Sequence, residues 1–323
     1  MHPTSTRPDA LDATLVSDAI RAHLARGGRC VVHSVFRSVV NLETPGGLIT
    51  IGGSSVEPLP HGLRMRGDID FRAAGLRIGH QVLLDERWIR IPAGAIAIDL
   101  SHAAGWSPRL PSTDFALART RWRVRASDVR GLVAAAVRAR SGSGDGLGDL
   151  VHHDGHTSLQ SVARLAAPRL QRLAAALRDA DPSAAGMAAE SLVGLGPGLT
   201  PSGDDALVGM AAAVTAMPPP GTLDATYLRR VVDTAPARTT AVSTAFLRHA
   251  ADGEFAAGLH ELMAALIGPD PTGLASTIER SVAFGATSGT DTLVGVLMGL
   301  DALAGTVVDT PAVPLPETVR AAA

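Results

Sequence analysis

Apolar residues recur along this chain in two different rhythms, and the change between them divides the sequence. After a run at residues 11–25 whose spacing predicts a helix, short aliphatic and β-branched stretches follow at 30–36, 48–51, 62–65, 80–84, 88–91 and 95–100. Turn-forming clusters separate them: Pro45-Gly46-Gly47, Gly52-Gly53 and Pro58-Leu59-Pro60. Short strands at this spacing predict a small antiparallel barrel or sandwich. Residues 36–42 read as part of a strand carrying two polar residues, Arg37 and Asn41, which face either a cleft or solvent on an edge.

From about Ser127 the period becomes helical, with alanine, leucine and arginine placing apolar residues on one face. Helices are expected at residues 157–180, 205–216, 222–234, 239–251, 255–267, 273–284 and 291–303. Residues 141–148, rich in Gly and Ser, read as a flexible loop, and prolines 218–220 and the turn at 268–271 punctuate the helices. The expectation is an α+β chain. A β-rich barrel or sandwich-like part over residues 1–125 is followed by a mainly α-helical part over 126–323, which carries the Gly/Asp-rich motifs.

Within the helical part, Gly194-Leu-Gly-Pro-Gly-Leu-Thr-Pro-Ser-Gly-Asp-Asp205 enters an apolar helix. A glycine-rich loop at a helix start exposes backbone N–H groups, and the helix dipole adds positive potential. Anions are therefore the expected ligands, with Gly196, Gly198 and Gly203 allowing close approach and Thr200 and Ser202 offering hydroxyls. A second copy follows 86 residues later: Ser202-Gly-Asp-Asp-Ala-Leu-Val-Gly209 matches Ser288-Gly-Thr-Asp-Thr-Leu-Val-Gly295 at six of eight positions. The repeat predicts two helix starts facing one site, with Thr287, Ser288 and Gly289 as counterparts.

Carboxylates at those starts leave three readings open. Asp204, Asp205 and Asp291 are helix caps, or ligands of a Mg2+ ion that bridges to substrate, or, for one of them, a general base toward an amide nitrogen. Between the copies, Thr239 or Thr240 caps the next helix, Ser243 lies on its first turn, and Arg238 either clamps a carboxylate or is solvated. Asp205, Asp291 and Ser202 are the catalytic candidates, and the remaining residues named here, Arg37 and Asn41 included, are candidate substrate contacts.

Composition removes several other chemistries. All 29 basic residues are arginine, so lysine nucleophiles, Schiff bases and the phosphate-loop lysine are absent. Codon bias alone accounts for much of that substitution, but arginine also suits carboxylates and phosphates. A net charge of −2 and few aromatic residues argue against nucleic acid. The single cysteine, Cys30, offers neither a disulfide nor a thiol cluster. Residues 1–10 read as a loose polar tail without a secretion signal, and the apolar stretch 293–308 is shorter than the ~20 residues of a membrane span. A cytoplasmic protein that binds neither membrane nor nucleic acid is expected. His152, His153 and His156 lack a helical ligand frame and read as surface, no Gly-x-Ser-x-Gly elbow is present, and the 194–198 glycines are misspaced for a dinucleotide site.

The string at 194–205, Thr287-Ser-Gly-Thr-Asp-Thr292, Thr239-Thr240-x-x-Ser243 and Phe36-Arg37-x-x-x-Asn41-Leu42 together resemble the AllH-like family, subunits of oxamate carbamoyltransferase. The resemblance spans most of the chain but carries no motif over residues 100–185. It implies phosphorolysis of oxalurate to oxamate and carbamoyl phosphate in allantoin and purine nitrogen catabolism, with other carbamoyltransferase subunits as partners. A non-catalytic scaffold or anion-binding subunit is the second expectation. A Mg2+-dependent ADP-ribosyl-glycohydrolase-like hydrolase is the third, because Ser288-Gly-Thr-Asp-Thr-Leu293 is similar to a late motif of that family.

Overall fold

The computed structural model describes residues 11–140, 145–152 and 161–305. Residues 1–10, His153, His156, and parts of the expected 141–148 loop, 157–180 helix and 293–308 apolar stretch lie outside them. The described residues form two compact units, 11–109 with 254–257, and those of 110–253 with 258–305.

The first unit is a closed eight-stranded barrel over residues 11–106. Its elements are β1 (Leu11–Ser17), α1 (Asp18–Arg26), β2 (Gly28–Val35), β3 (Val39–Thr44), β4 (Gly47–Gly52), β5 (Gly62–Met65), β6 (Gln81–Leu84), β7 (Trp88–Ile91), β8 (Ile96–Asp99) and β9 (Ala104–Trp106). The order is β5-β4-β3-β2-β6-β7-β8-β1, and β1 also pairs antiparallel with β5, which closes the ring. β9 adds to the end of β1. Alternation follows the pleat: in β7, Ile89 and Ile91 are buried while Trp88 and Arg90 are half-buried, and Val32, Val40, Leu42, Ile49, Ile51 and Ile98 fill the same interior.

The helix expected over 11–25 starts only at Asp18. Ser17 caps it, accepting the Ala19 N–H, and the residues before it extend because β5, β8 and β9 all use β1 as a pairing edge. Arg37 falls in the turn between β2 and β3, exposed, with its guanidinium 3.9 Å from Asp70. Asn41 lies in β3 and is buried. Its amide donates to Ser34 Oγ at 2.9 Å and its carbonyl accepts from Thr50 Oγ1 at 2.7 Å. That network satisfies the buried side chain on the face of β3 opposite Val40 and Leu42.

The second unit is helical: α2 (Phe115–Ala139), α3 (Asp149–His152), α4 (Ser161–Arg178), α5 (Pro182–Glu190), α6 (Ser202–Ala216), α7 (Arg229–Thr234), α8 (Ala241–Ala251), α9 (Ala257–Ile267), α10 (Leu274–Ala283) and α11 (Ser288–Ala304). Asp114 caps α2 by accepting the Leu117 N–H at 3.0 Å, so the division expected near residue 125 falls inside this helix. The helix expected over 222–234 is a 3-10 turn followed by the short α7, and α5 has no counterpart among the expected helices. No described helix is long and apolar enough to cross a membrane.

The arginines of α2 have specific work. Arg119 and Arg123 donate to the Ala304 carbonyl at the end of α11, Arg121 to Ile267 and Arg125 to Gly268 at the end of α9. Cations at helix C-termini satisfy carbonyls the helix leaves open and oppose its dipole. Asp301, buried in α11, accepts from Trp122 Nε1 at 3.0 Å and from Arg130 at 2.6 Å.

α6 and α11 form the centre of this unit, buried along almost their whole length. A Cβ added at Gly209 would lie 2.0 Å from the Thr292 carbonyl oxygen, and one at Gly295 would lie 2.1 Å from that of Ala206. These are equivalent positions of the sequence repeat. The Leu-Val-Gly copies therefore meet around a local two-fold. Because Gly209 faces residues 292–296 while Gly299 faces Met210 and Ala213, the helices run parallel and begin at the same end.

Candidate functional site

Two parallel helices with adjacent N-termini bring their positive dipole ends together. Thr200 Oγ1 and Ser288 Oγ are 2.7 Å apart, which joins the loop before α6 to the first residue of α11. Behind them the repeat crosses over. Asp205 of α6 lies near the hydroxyls of Ser288 and Thr200, and Asp291 of α11 near those of Ser202 and Thr287, each of which pulls its carboxyl down. Each helix thus sets a carboxyl beside the other helix's leading serine.

Asp291 is fully buried and Asp205 nearly so. Asp291 Oδ1 also accepts the Leu147 N–H at 2.6 Å. The Oδ2 atoms of both aspartates are buried without a hydrogen-bond partner among the described residues. Burial pushes the Asp205 carboxyl well above the usual range, and the charge of Asp291 adds to the rise. Asp291 is likewise raised, first by burial, with the charge of Asp145 acting in the same direction. Two half-satisfied carboxyls held together are costly in a folded interior, and such placements concentrate where chemistry is done.

Asp204 has a different part. Its Oδ1 accepts the Gly194 N–H at 3.0 Å, and its Oδ2 accepts the Thr239 hydroxyl at 2.5 Å and the Ser243 hydroxyl at 2.7 Å. Neither α6 nor α11 has a side-chain cap, so none of the three aspartates caps its own helix. Asp204 instead brackets the glycine loop to the start of α8, where Thr240 is the cap, accepting the Ser243 N–H at 3.0 Å. Thr240 also donates to the Leu199 carbonyl, and exposed Arg238 bears electrostatically on Asp204. Burial raises the Asp204 carboxyl even though its hydrogen bonds pull the other way. Asp204→Ala would strand three donors, and a loss of about 3 kcal/mol in urea unfolding is expected.

Backbone amides contribute less than a bare loop suggests. Gly203 N–H donates to Leu195 O, and those of Asp204 and Asp205 to Pro201 O; Gly289 N–H donates to Phe284 O and Asp291 N–H to Thr287 O. The glycines at 203 and 289 serve packing, since a Cβ at either would lie about 2 Å from the carbonyl of Leu192 or Ser281. Gly196 and Gly198 take positive φ on the loop, where Gly198 is exposed. Ligand-facing polarity at this site therefore rests on hydroxyls and carboxyls.

Of the three carboxylates expected to hold Mg2+, Asp204 has both oxygens in use, and only Asp205 and Asp291 share a site. Among the described residues no three His, Cys, Asp or Glu side chains converge as metal ligands. Arg37 and Asn41 belong to the barrel unit.

Residues 145–148 escaped the sequence reading. Leu147 holds Asp291, a Cβ at Gly146 would lie 2.8 Å from Asp291 Oδ1, and Asp145 anchors the segment by accepting from Ser161 and from the Val162 N–H. The signal was Asp-Gly-Leu-Gly, whose glycines suit close packing as well as flexibility.

Residues 10–105 match the model of the AllH family N-terminal domain, and residues 192–300 match that of oxamate carbamoyltransferase subunit AllH. No solved structure matches the chain.

Proposed function

Because this chain belongs to the AllH family of oxamate carbamoyltransferase subunits, we propose that its paired helix starts take part in the carbamoyl transfer itself, within a cytoplasmic complex with other subunits. The reaction is phosphorolysis of oxalurate to oxamate and carbamoyl phosphate, a step of allantoin and purine nitrogen catabolism.

One observation carries the reading: two parallel helix N-termini surround a set of hydroxyls, Thr200, Ser202, Thr287 and Ser288, backed by two buried carboxyls. Attack of a phosphate oxygen on the ureido carbonyl builds negative charge on the carbonyl oxygen. Fixed hydroxyl donors in the field of two helix dipoles stabilise such charge without reorganising at the moment of reaction. Phosphate, oxalurate and oxamate are all anions, and the same field favours their approach.

The test uses the chain reconstituted with its partner subunits, assayed for carbamoyl phosphate formed from oxalurate and phosphate. Ser288→Ala is expected to lower kcat about 100-fold, the size of effect seen when one oxyanion donor is removed. Unchanged turnover by a complex that assembles normally would make this subunit the non-catalytic scaffold.

A further inference from the structure

Resting on the carbamoyl-transfer reading, we infer that Asp205 and Asp291 share a single proton and act as one acid–base pair on the nitrogen of the scissile ureido bond, rather than as the phosphate site. The geometry has three parts. Asp291 Oδ1 is engaged by the Leu147 N–H, and the Oδ2 atoms of both carboxyls are buried without a hydrogen-bond partner among the described residues, so each has a polar atom left for something that carries hydrogen. Both lie at one end of a close helix pair, so each charge raises the cost of the other. The further charges acting on them are also negative, Asp204 on Asp205 and Asp145 on Asp291. The ionised member needs a donor, which an amide N–H or the single hydroxyl of HPO4(2−) supplies, while the bare phosphate oxygens would be repelled.

One proton between two carboxyls suits the stoichiometry of the reaction. The hydroxyl of the phosphate dianion HPO4(2−) loses its proton to the ionised member as its oxygen bonds to the carbamoyl carbon. The C–N bond then breaks, its electron pair stays on nitrogen, and the protonated member supplies the hydrogen that completes the oxamate amide. Charge is −3 on both sides, and the pair again holds one proton with the roles exchanged. Protonation has a second consequence. A neutral carboxyl donates to its serine oxygen, which turns the Ser202 or Ser288 hydroxyl outward as a donor for the developing oxyanion.

Two measurements test this. In the reconstituted complex, Asp205→Asn and Asp291→Asn should each lower kcat at least ~100-fold while the KM for phosphate stays within about threefold, and the double variant should be no slower than either single one, as for groups that act as a unit. On the full chain alone, calorimetry should show oxamate binding about tenfold more tightly than oxalate, which has no N–H, with that preference lost in both variants. A raised KM for phosphate at unchanged kcat would move the pair to the phosphate side and overturn the inference, as would one silent variant or equal affinity for oxamate and oxalate. If Ser288→Ala slows the complex while both Asn variants turn over normally, only the acid–base pair fails. A wild-type complex inert toward oxalurate would instead remove the carbamoyl-transfer reading itself.

Discussion

Gly209→Ala and Gly295→Ala should each destabilise the helical unit by on the order of 3–5 kcal/mol, a large share of the total stability of an ordinary domain. The added carbon would sit 2.0 Å from the Thr292 oxygen in one case and 2.1 Å from the Ala206 oxygen in the other. Both obstacles are backbone atoms of a buried helix, so no rotamer change relieves them. α6 and α11 would have to separate along a face that is buried from end to end. Gly131→Ala is the control: it lies exposed in α2, nothing stands within 4 Å of its added Cβ, and the higher helix propensity of alanine should stabilise by about 1 kcal/mol. Urea unfolding of the three variants checks the contrast. Equal, small changes would mean that the two helices tolerate separation. Because the same contact sets the Ser–Asp crossover, the two repeat variants should also lose turnover even where they remain folded.

How far the site was legible follows from what a repeat records. Matching Ser202-Gly-Asp-Asp to Ser288-Gly-Thr-Asp identifies two equivalent helix starts, and the parallel packing through Gly209 and Gly295 brings them together. The crossover of Ser202 to Asp291 and Ser288 to Asp205 is a property of the helix–helix angle, which no single-helix periodicity contains. Asp204 and Asp205 are neighbours in sequence and alike in composition. Helical geometry turns one toward Gly194, Thr239 and Ser243 and the other toward α11. Asp145–Leu147 looked like linker because glycine serves both flexibility and close approach, and only the presence of Asp291 beside it decides which. In the barrel, short aliphatic runs between turn clusters marked most of the strands. Closure was not legible, since it depends on β1 pairing with both β8 and β5, and the same pairing overrides the helical spacing of residues 11–17.

Asp205→Asn is expected to raise the melting temperature by about 5 °C near neutral pH while it removes activity. The sign follows from the direction of the pKa. Burial and Asp291 hold the Asp205 carboxyl well above its unfolded value, so its contribution to stability is fully present below the unfolded pKa and is lost as pH rises through the folded one. At neutral pH the wild type bears that cost, and the neutral amide does not. The gain should therefore shrink as pH falls below about 4, where the acid becomes protonated in the unfolded state as well. Asp291→Asn should move the same way, since its carboxyl is raised by burial as well and an amide oxygen can still accept the Leu147 N–H. Asp204→Asn should move oppositely at every pH. Its carboxyl is also raised by burial, but both of its oxygens accept hydrogen bonds, and an amide NH2 would confront donors on one side. Thermal melts of the three variants across pH thus separate carboxylates that hold the fold from carboxylates that the fold holds at a cost. A fall in melting temperature for Asp205→Asn as large as that for Asp204→Asn would place Asp205 with the structural bracket and leave the acid–base pair without a basis.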